Sequence, residues 1–162
     1  MNVVTKKRSL EIILKKKAVL EFLHEFETED NLKRRYALEL QNCEDKSREV
    51  LDRLLLIFEK SHFRYLNNLI IDRYDKIRKN IVKQYNSCKN CKSSRFWPDG
   101  TEIKPEEKGY CGTDQNANIA SNDYGETCTY FEFYSQEIQD EFNRKLTYIN
   151  KKINQINREG KK

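Results

Sequence analysis

The sequence predicts a mainly α-helical protein, an antiparallel four-helix bundle of coiled-coil hairpins with an inserted cysteine-rich loop module. Two observations lead to this fold class. Apolar residues recur three and four positions apart over long segments, which is typical of helices that pack through one narrow apolar seam. Both prolines and four of the five glycines lie within residues 98–125, so the helical pattern is interrupted in one place.

The first 86 residues are predicted to form three helices. The first covers residues 6–26, and the second begins near residue 30, where Glu29 and Asp30 provide an acidic first turn. The third ends near residue 86. The predicted seam residues are, in the first helix, Leu10, Ile13, Leu14, Val19, Leu23 and Phe26; in the second, Tyr36, Leu40, Cys43, Ser47, Val50, Leu54 and Ile57; and in the third, Phe63, Leu66, Ile70, Tyr74, Ile77 and Ile81.

Two alternatives describe the connection between the second and third helices. The seam changes phase around residues 60–62, which predicts a tight turn there and an antiparallel hairpin. Neither glycine nor proline marks this position. The alternative is one uninterrupted helix from residue 30 to 86, which would be ~85 Å long at 1.5 Å per residue.

The last helix is predicted to begin after Ser135 and to end at Gly160. Acidic residues in its first turns and basic residues in its last turns complement the helix dipole at both ends. Its seam consists of Ile138, Phe142, Ile149, Ile153 and Ile156. The sequence therefore predicts a helical body over residues 1–86, a cysteine module over residues 87–134, and a C-terminal helix over residues 135–162 that completes the bundle.

Four cysteines of the module are spaced as metal ligands. Cys88 and Cys91 form a CxxC pair, which can bind one metal ion from a single turn, and Cys111 and Cys128 can complete a tetrahedral site. The module has many turn signals and short strands predicted at residues 101–104 and 128–134. Its own core is too small to hold it together, whereas metal binding supplies ~10–16 kcal/mol. We therefore expect structural zinc. Cys43 lies on a helical seam and is predicted to be a core residue.

The same cysteine spacing also resembles two known patterns. One CxxC followed by two isolated cysteines is similar to the high-potential iron–sulfur proteins and to modules of small accessory subunits of some glycyl radical enzymes. This resemblance implies a [4Fe–4S] cluster on the four cysteines. The aromatic residues that would shield it are Phe96, Trp97, Tyr110, Tyr130 and Phe131. The module also resembles a degenerate zinc ribbon, so zinc and the cluster are alternatives, beside disulfides or no cofactor.

Charge is unevenly distributed along the chain. Residues 99–141 contain two basic and eleven acidic side chains, a net charge of −9, whereas the basic residues lie mainly on predicted helices. A segment with a net charge of −9 would repel phosphate, which argues against a zinc finger that reads DNA bases. The sequence contains no glycine-rich phosphate loop, GxSxG elbow or HExxH pair, so we expect no enzymatic activity, and no small-molecule substrate is evident.

These observations favour a protein that binds a macromolecule. We expect a protein-interaction, regulatory or accessory subunit that contacts a protein, or a protein–nucleic acid complex, through Trp97 and Phe131 of the module. In one alternative nucleic acid binds to the helix-end residues Lys79, Lys83, Lys151 and Lys152; in another, which requires iron, the chain transfers electrons. No apolar run approaches the ~20 residues of a membrane span, so we expect a cytoplasmic protein without a membrane partner. Frequent Lys, Asn and Ile fit a bacterial or phage origin.

Overall fold

The structure, a computed structural model, describes residues 3–54, 60–94, 101–102, 128 and 131–160. These residues form four α-helices: α1 Val3–Phe26, α2 Asp30–Leu54, α3 Lys60–Tyr85 and α4 Gln136–Glu159. Two short 3-10 turns, Cys88–Asn90 and Lys92–Ser94, follow α3. The predicted helical bundle is therefore confirmed, and α4 begins and ends where the sequence predicts.

The chain divides into two compact units. The first unit comprises Met1–Ile77 and Tyr148–Lys162, and the second comprises Arg78–Thr147. The helices α1 and α2 belong to the first unit, and the CxxC turn belongs to the second.

In the first unit, α1 and α2 form an antiparallel hairpin. Two interhelical ion pairs join them, Lys16 to Glu39 at 2.8 Å and Lys17 to Glu44 at 3.0 Å. The connection consists of residues 27–29, and the carboxylate of Glu27 accepts the backbone N–H groups of residues 28 and 29, at 2.9 and 3.0 Å. These two contacts satisfy donors that would otherwise be unpaired at the start of α2.

Contacts of α1 also give the directions of the other two helices of this unit. Lys7 lies 4.6 Å from the ring centre of Tyr65, and Glu21 bonds to Tyr74, so α1 and α3 run in the same direction. Towards α4, residue 26 meets residue 148 while Glu21 meets Lys152, so these helices run in opposite directions. The first unit is thus an up-down-up-down arrangement.

The core of the first unit is a cluster of leucines. Leu10, Leu54 and Leu66 are buried together, with further apolar side chains of α1, α2 and α3 packed around them. A single helix through residues 30–86 would separate Leu54 and Leu66 by ~18 Å along its axis. Their common cluster supports two helices packed side by side and argues against the continuous helix. The turn predicted at residues 60–62 is wrong, because α3 already begins at Lys60.

Half of the described seam residues of α2 are buried, namely Cys43, Ser47 and Leu54. The other three, Tyr36, Leu40 and Val50, are half-buried. The hydroxyl of Ser47 donates a hydrogen bond to the carbonyl of Glu44 at 2.9 Å, so this polar side chain is satisfied inside the apolar seam. Ile57, the last predicted seam residue of this helix, lies outside the described residues.

The seam predicted for α1 is only partly correct. Leu10 is buried, but Leu23 is 37% exposed, and the buried residues Ala18 and Leu20 were not predicted. The reason is that α1 carries apolar residues on more than one side, so that spacing alone does not identify its inner face.

The described part of the cysteine module contains no strand. Phe133 and Cys91 pair as an isolated antiparallel bridge. The strands predicted at residues 101–104 and 128–134 are therefore not supported by the residues described there, while residues 103–104 and 129–130 lie outside the description. Among the described helices, none is long and apolar enough to cross a membrane.

The leucine cluster predicts a large effect for Leu54→Asp. Leu54 has 0% exposure, so the substitution removes apolar packing and places a carboxylate without a partner in the core. We expect the free energy of unfolding to fall by at least ~3 kcal/mol in chemical denaturation. Leu38→Asp is the matched control, because Leu38 lies on the same helix with 69% exposure. Equal destabilisation by the two substitutions would contradict the assigned core.

Candidate functional site

The CxxC turn is attached to the C-terminal end of α3. Ser87 is 2% exposed, and its hydroxyl donates to the carbonyl of Gln84 at 3.1 Å. The side-chain amide of Asn90 donates to the carbonyls of Gln84, at 3.3 Å, and Tyr85, at 2.9 Å. These bonds satisfy carbonyl groups that a helix leaves unpaired at its end. The turn itself is closed by the N–H of Cys91, which donates to the carbonyl of Cys88 at 3.0 Å.

A second segment of the chain lies against this turn. The N–H of Lys92 donates to the carbonyl of Glu132 at 2.7 Å, and the N–H of Tyr134 donates to the carbonyl of Asn90 at 3.1 Å. The two segments are 40 residues apart in sequence. Cys128 comes just before the second segment in sequence. Its carbonyl accepts the N–H of Phe131 at 3.3 Å, which attaches it to the start of that segment. Backbone hydrogen bonds therefore join the CxxC turn to the segment that follows the last cysteine.

Aromatic rings connect the second segment to the helices of the same unit. Phe131 packs edge-on against Phe133 at 5.0 Å between ring centres, and Phe133 contacts Phe142 of α4 at 5.5 Å. Phe142 in turn contacts Tyr85 of α3 at 5.6 Å. The four rings thus form one row from the second segment to α3. Phe131, predicted to contact a partner, is half-buried in this row.

The cysteines differ in exposure. Cys91 is 5% exposed, while Cys88 and Cys128 are of intermediate exposure. Cys111 and Trp97, both predicted site residues, lie outside the described residues. Among the residues that the structure describes, no group of three or more His, Cys, Asp or Glu side chains is arranged to hold a metal ion. Cys43 is buried on α2 in the first unit, in agreement with its predicted packing role.

The donors nevertheless have the chemistry of a zinc site. Thiolates are preferred zinc ligands, and a CxxC turn provides two of them from one short turn. The third, Cys128, stands four residues before Glu132, where the backbone pairing with that turn begins. The residues present therefore fit structural zinc. Asn90 and Ser87, which hold the turn, were not predicted; short polar residues directly after a helix are the sequence signal that could have identified them.

A polar cluster that the sequence did not predict lies beside the aromatic row. The hydroxyl of Tyr85 donates to a carboxylate oxygen of Glu141 at 2.6 Å, and Lys145 donates to both groups, each at 2.6 Å. Burial, followed by the bond to Glu141, raises the pKa of Tyr85. Hydrogen bonds from Lys145 and Tyr85 lower the pKa of Glu141 below its ordinary 4.5. The sequence signal that indicates this cluster is the i,i+4 spacing of Glu141 and Lys145 on one helix.

The positive charge of Lys145 is paired with the carboxylate of Glu141 within this cluster. Burial lowers the pKa of Lys145, but the hydrogen bonds with Glu141 and Tyr85 outweigh it, so the pKa rises above 10.5. The ammonium group also lies 5.0 Å from the ring centre of Tyr85. The cluster fixes the relative positions of the α3 and α4 segments within the second unit.

A cleft of about 240 Å³ opens between helices of the first unit. The carboxylate of Glu21 lines it and accepts the hydroxyl of Tyr74 at 2.6 Å and the ammonium group of Lys152 at 2.9 Å. Burial, followed by the bond to Glu21, raises the pKa of Tyr74. Lys17 lies 3.9 Å from Glu21 and 3.0 Å from Glu44. The charges that line the cleft are thus mostly paired within the protein.

The four lysines predicted to contact nucleic acid differ in their surroundings. Lys79, Lys83 and Lys151 are exposed. Lys152 is half-buried, bonded to Glu21, and 5.6 Å from the ring centre of Tyr148. Its ammonium group is therefore engaged inside the first unit.

Comparisons with protein-family models, with curated proteins and with solved structures found no match. The functional argument accordingly depends on the residues of this chain.

The Tyr85 cluster predicts how stability depends on pH. Because the pKa of Glu141 is lower in the folded protein than 4.5, its contribution to stability is present above pH 4.5 and is lost as the pH falls through the lower folded value. We expect Glu141→Gln to reduce the free energy of unfolding at pH 7 by about 1 kcal/mol. The difference from the wild type should shrink in acid, as measured by denaturation at pH 7 and pH 3.

Asp72→Asn provides the control for this experiment, since Asp72 is an exposed carboxylate in the middle of α3, away from both helix ends. It should change the free energy of unfolding by less than ~0.5 kcal/mol at either pH. If both variants showed the same pH dependence, the cluster would not contribute to stability as its geometry indicates.

Proposed function

We propose that the chain is a non-enzymatic helical protein in which Cys88, Cys91, Cys111 and Cys128 bind one zinc ion. The metal-stapled module then serves as a binding surface for another protein, so that the chain acts as an interaction, regulatory or accessory subunit. One observation carries the proposal: the backbone bonds Lys92–Glu132 and Tyr134–Asn90 hold the CxxC turn against the segment after Cys128. A tetrahedral site needs ligands from both segments, and this pairing brings the two segments together.

The ligands and their setting favour a structural role for the metal. Zinc bound by four thiolates has no open position for water or substrate, so it would supply stability and no Lewis-acid chemistry. The protein residues provide the rest: Asn90 and Ser87 orient the turn on α3, and the bridge at Phe133 orients the second segment. The partner would contact the half-buried ring of Phe131, which belongs to a sequence segment, residues 99–141, with a net charge of −9.

A second candidate is a [4Fe–4S] cluster on the same cysteines, with a role in electron transfer. The row of Phe131, Phe133 and Phe142 favours it, because packed aromatic rings restrict access of water to a cluster. Four thiolates are suitable ligands for both cofactors.

Metal content distinguishes the two candidates. Freshly purified protein is expected to contain one zinc per chain by elemental analysis and to lack the visible absorption of an iron–sulfur cluster. Cys111→Ser and Cys128→Ser should lose the metal, since each removes one of four ligands. Far-UV circular dichroism should show that the helices of the variants remain, so that metal loss is not a result of global unfolding.

Cys43→Ala is the matched control, because it removes a cysteine that is buried in the helical core. It is expected to keep the full zinc content. Release of zinc by Cys43→Ala, or retention of zinc by both Cys111→Ser and Cys128→Ser, would refute the ligand assignment. Stoichiometric iron with a visible absorption band would select the second candidate.

Binding to nucleic acid is the remaining alternative, and exposed Lys79, Lys83 and Lys151 are the observation in its favour. We expect duplex DNA to bind weakly and without sequence preference, since the acidic module repels phosphate. In a salt titration, log K should fall by about 0.9 per log unit of salt for each phosphate contact. The triple replacement of these lysines by Glu should abolish the binding, whereas Phe131→Ala should not affect it. Sequence-specific nanomolar binding at physiological salt would contradict the protein-binding proposal.

A further inference from the structure

The outer face of α1 carries a continuous line of apolar and basic side chains. We define the α1 stripe as Val4, Arg8, Ile12, Lys15, Val19 and Leu23. Successive members are four, four, three, four and four positions apart, so they follow one face of the helix over ~29 Å. Val4 is 71%, Ile12 61% and Leu23 37% exposed. Among the described residues, these are three of the six exposed large apolar side chains.

Folding of the first unit does not account for this stripe. The inner face of α1 is already occupied, because Leu10 belongs to the leucine cluster with Leu14, and Ala18 is buried. A surface helix needs one apolar face and normally has polar residues on the other. Single exposed apolar residues are common on protein surfaces, whereas apolar residues grouped on one face with polar residues beside them mark an interaction site. Val19 of the stripe is half-buried, and Val4, Ile12 and Leu23 are its exposed apolar members.

The basic members of the stripe are available for a partner. Arg8 and Lys15 are exposed, and neither forms an ion pair in the part of the chain that the structure describes. Their neighbours Lys16 and Lys17 behave differently, since these bind Glu39 and Glu44 of α2. Lys16 and Lys17 thus form ion pairs within the fold, whereas Arg8 and Lys15 form none among the described residues.

We propose that the α1 stripe binds an acidic amphipathic helix of another protein. A helix with leucine-like and glutamate residues at matching spacing would cover Val4, Ile12 and Leu23 and pair its carboxylates with Arg8 and Lys15. The inference goes beyond the zinc-stapled module: it uses a different surface and does not require the metal.

Charge complementarity excludes a second copy of this chain as the preferred occupant. In an antiparallel pairing of two stripes, Val4 would face Leu23, but Arg8 would face Val19 and Lys15 would face Ile12. This arrangement covers cations without a counter-charge, which is costly. In a parallel pairing, each cation would face its own copy and repel it.

A membrane surface is a poorer match than an acidic helix. Helices that bind anionic bilayers carry their cations beside the apolar face. In the α1 stripe, Arg8 and Lys15 lie between the apolar residues, so insertion of Ile12 would also move both cations towards the acyl chains. An acidic helix would instead provide a carboxylate for each of them.

The test uses two synthetic helical peptides of about 20 residues, matched in length to the stripe. Both carry leucine at the positions that would meet Val4, Ile12 and Leu23; one carries Glu and its twin carries Lys at the intervening positions. Fluorescence anisotropy with the full-length chain is expected to show micromolar binding of the Glu peptide and at least about tenfold weaker binding of the Lys peptide. The double variant Arg8→Glu/Lys15→Glu should reverse this preference.

Two controls distinguish binding at the α1 stripe from nonspecific apolar binding and from nonspecific electrostatic binding. Ile12→Ser should weaken binding of the Glu peptide about tenfold, whereas Leu38→Ser should not change it, since Leu38 is 69% exposed on α2. Lys33→Glu, a charge reversal on the exposed surface of α2, should leave the peptide preference intact.

Four outcomes would overturn the proposal. The first is no binding of the Glu peptide, and the second is binding that survives Ile12→Ser or keeps its preference after the double charge reversal. The third is a stripe-dependent dimer in analytical ultracentrifugation, which would assign the surface to a second copy. The fourth is stripe-dependent binding to phosphatidylglycerol vesicles in place of the peptide, which would assign it to a membrane.

Discussion

The shortage of apolar material is the constraint on which the structure depends. Charged residues make up 35% of the chain and hydrophobic residues 37%, so only narrow strips of each helix can be sealed from water. In the first unit the seal is made by Leu10, Leu54 and Leu66. Because so few side chains are fully buried, tyrosines and carboxylates occupy positions near the core, and they are stable there only when hydrogen-bonded. Glu21 illustrates this, since it accepts bonds from α3 and from α4.

The second unit has the same shortage of apolar side chains, but other interactions stabilise it. It buries Ile81 and packs several aromatic rings in a row, and its polar groups are satisfied by Asn90 at the end of α3 and by the Tyr85 cluster. Two backbone bonds and one isolated bridge join the CxxC turn to the segment after Cys128. Such contacts orient the two segments but bury little surface. A bound metal ion would therefore add much to the stability of a unit this small. This is the physical reason for expecting the cysteines to bind one ion.

Helix positions could be predicted because they depend on local signals. Ser135 and Gly160 border α4 as expected, and the regular seam of α2 identified Cys43 and Leu54 as buried. The end of α2 and the start of α3 could not be predicted accurately, because no glycine or proline stands near residue 60 and a phase change in the seam is compatible with several turn positions. The Tyr85 cluster was not predicted for another reason: Tyr85 and Glu141 are 56 residues apart, and their contact depends on tertiary packing.

The error in the predicted seam of α1 is the most informative for function. Spacing arguments assume that apolar residues face the core, and they selected Val19 and Leu23 on that assumption. The structure buries Leu10 as predicted, but it also buries Ala18 and Leu20, leaves Val19 half-buried and leaves Leu23 exposed, together with Val4 and Ile12. Exposed apolar residues lower solubility, and these lie beside two cations that form no ion pair among the described residues, so the face is suited to contact with a partner. The ambiguity of α1 in the sequence thus has the same physical origin as the proposed docking surface: the helix has two apolar faces, and the bundle uses one.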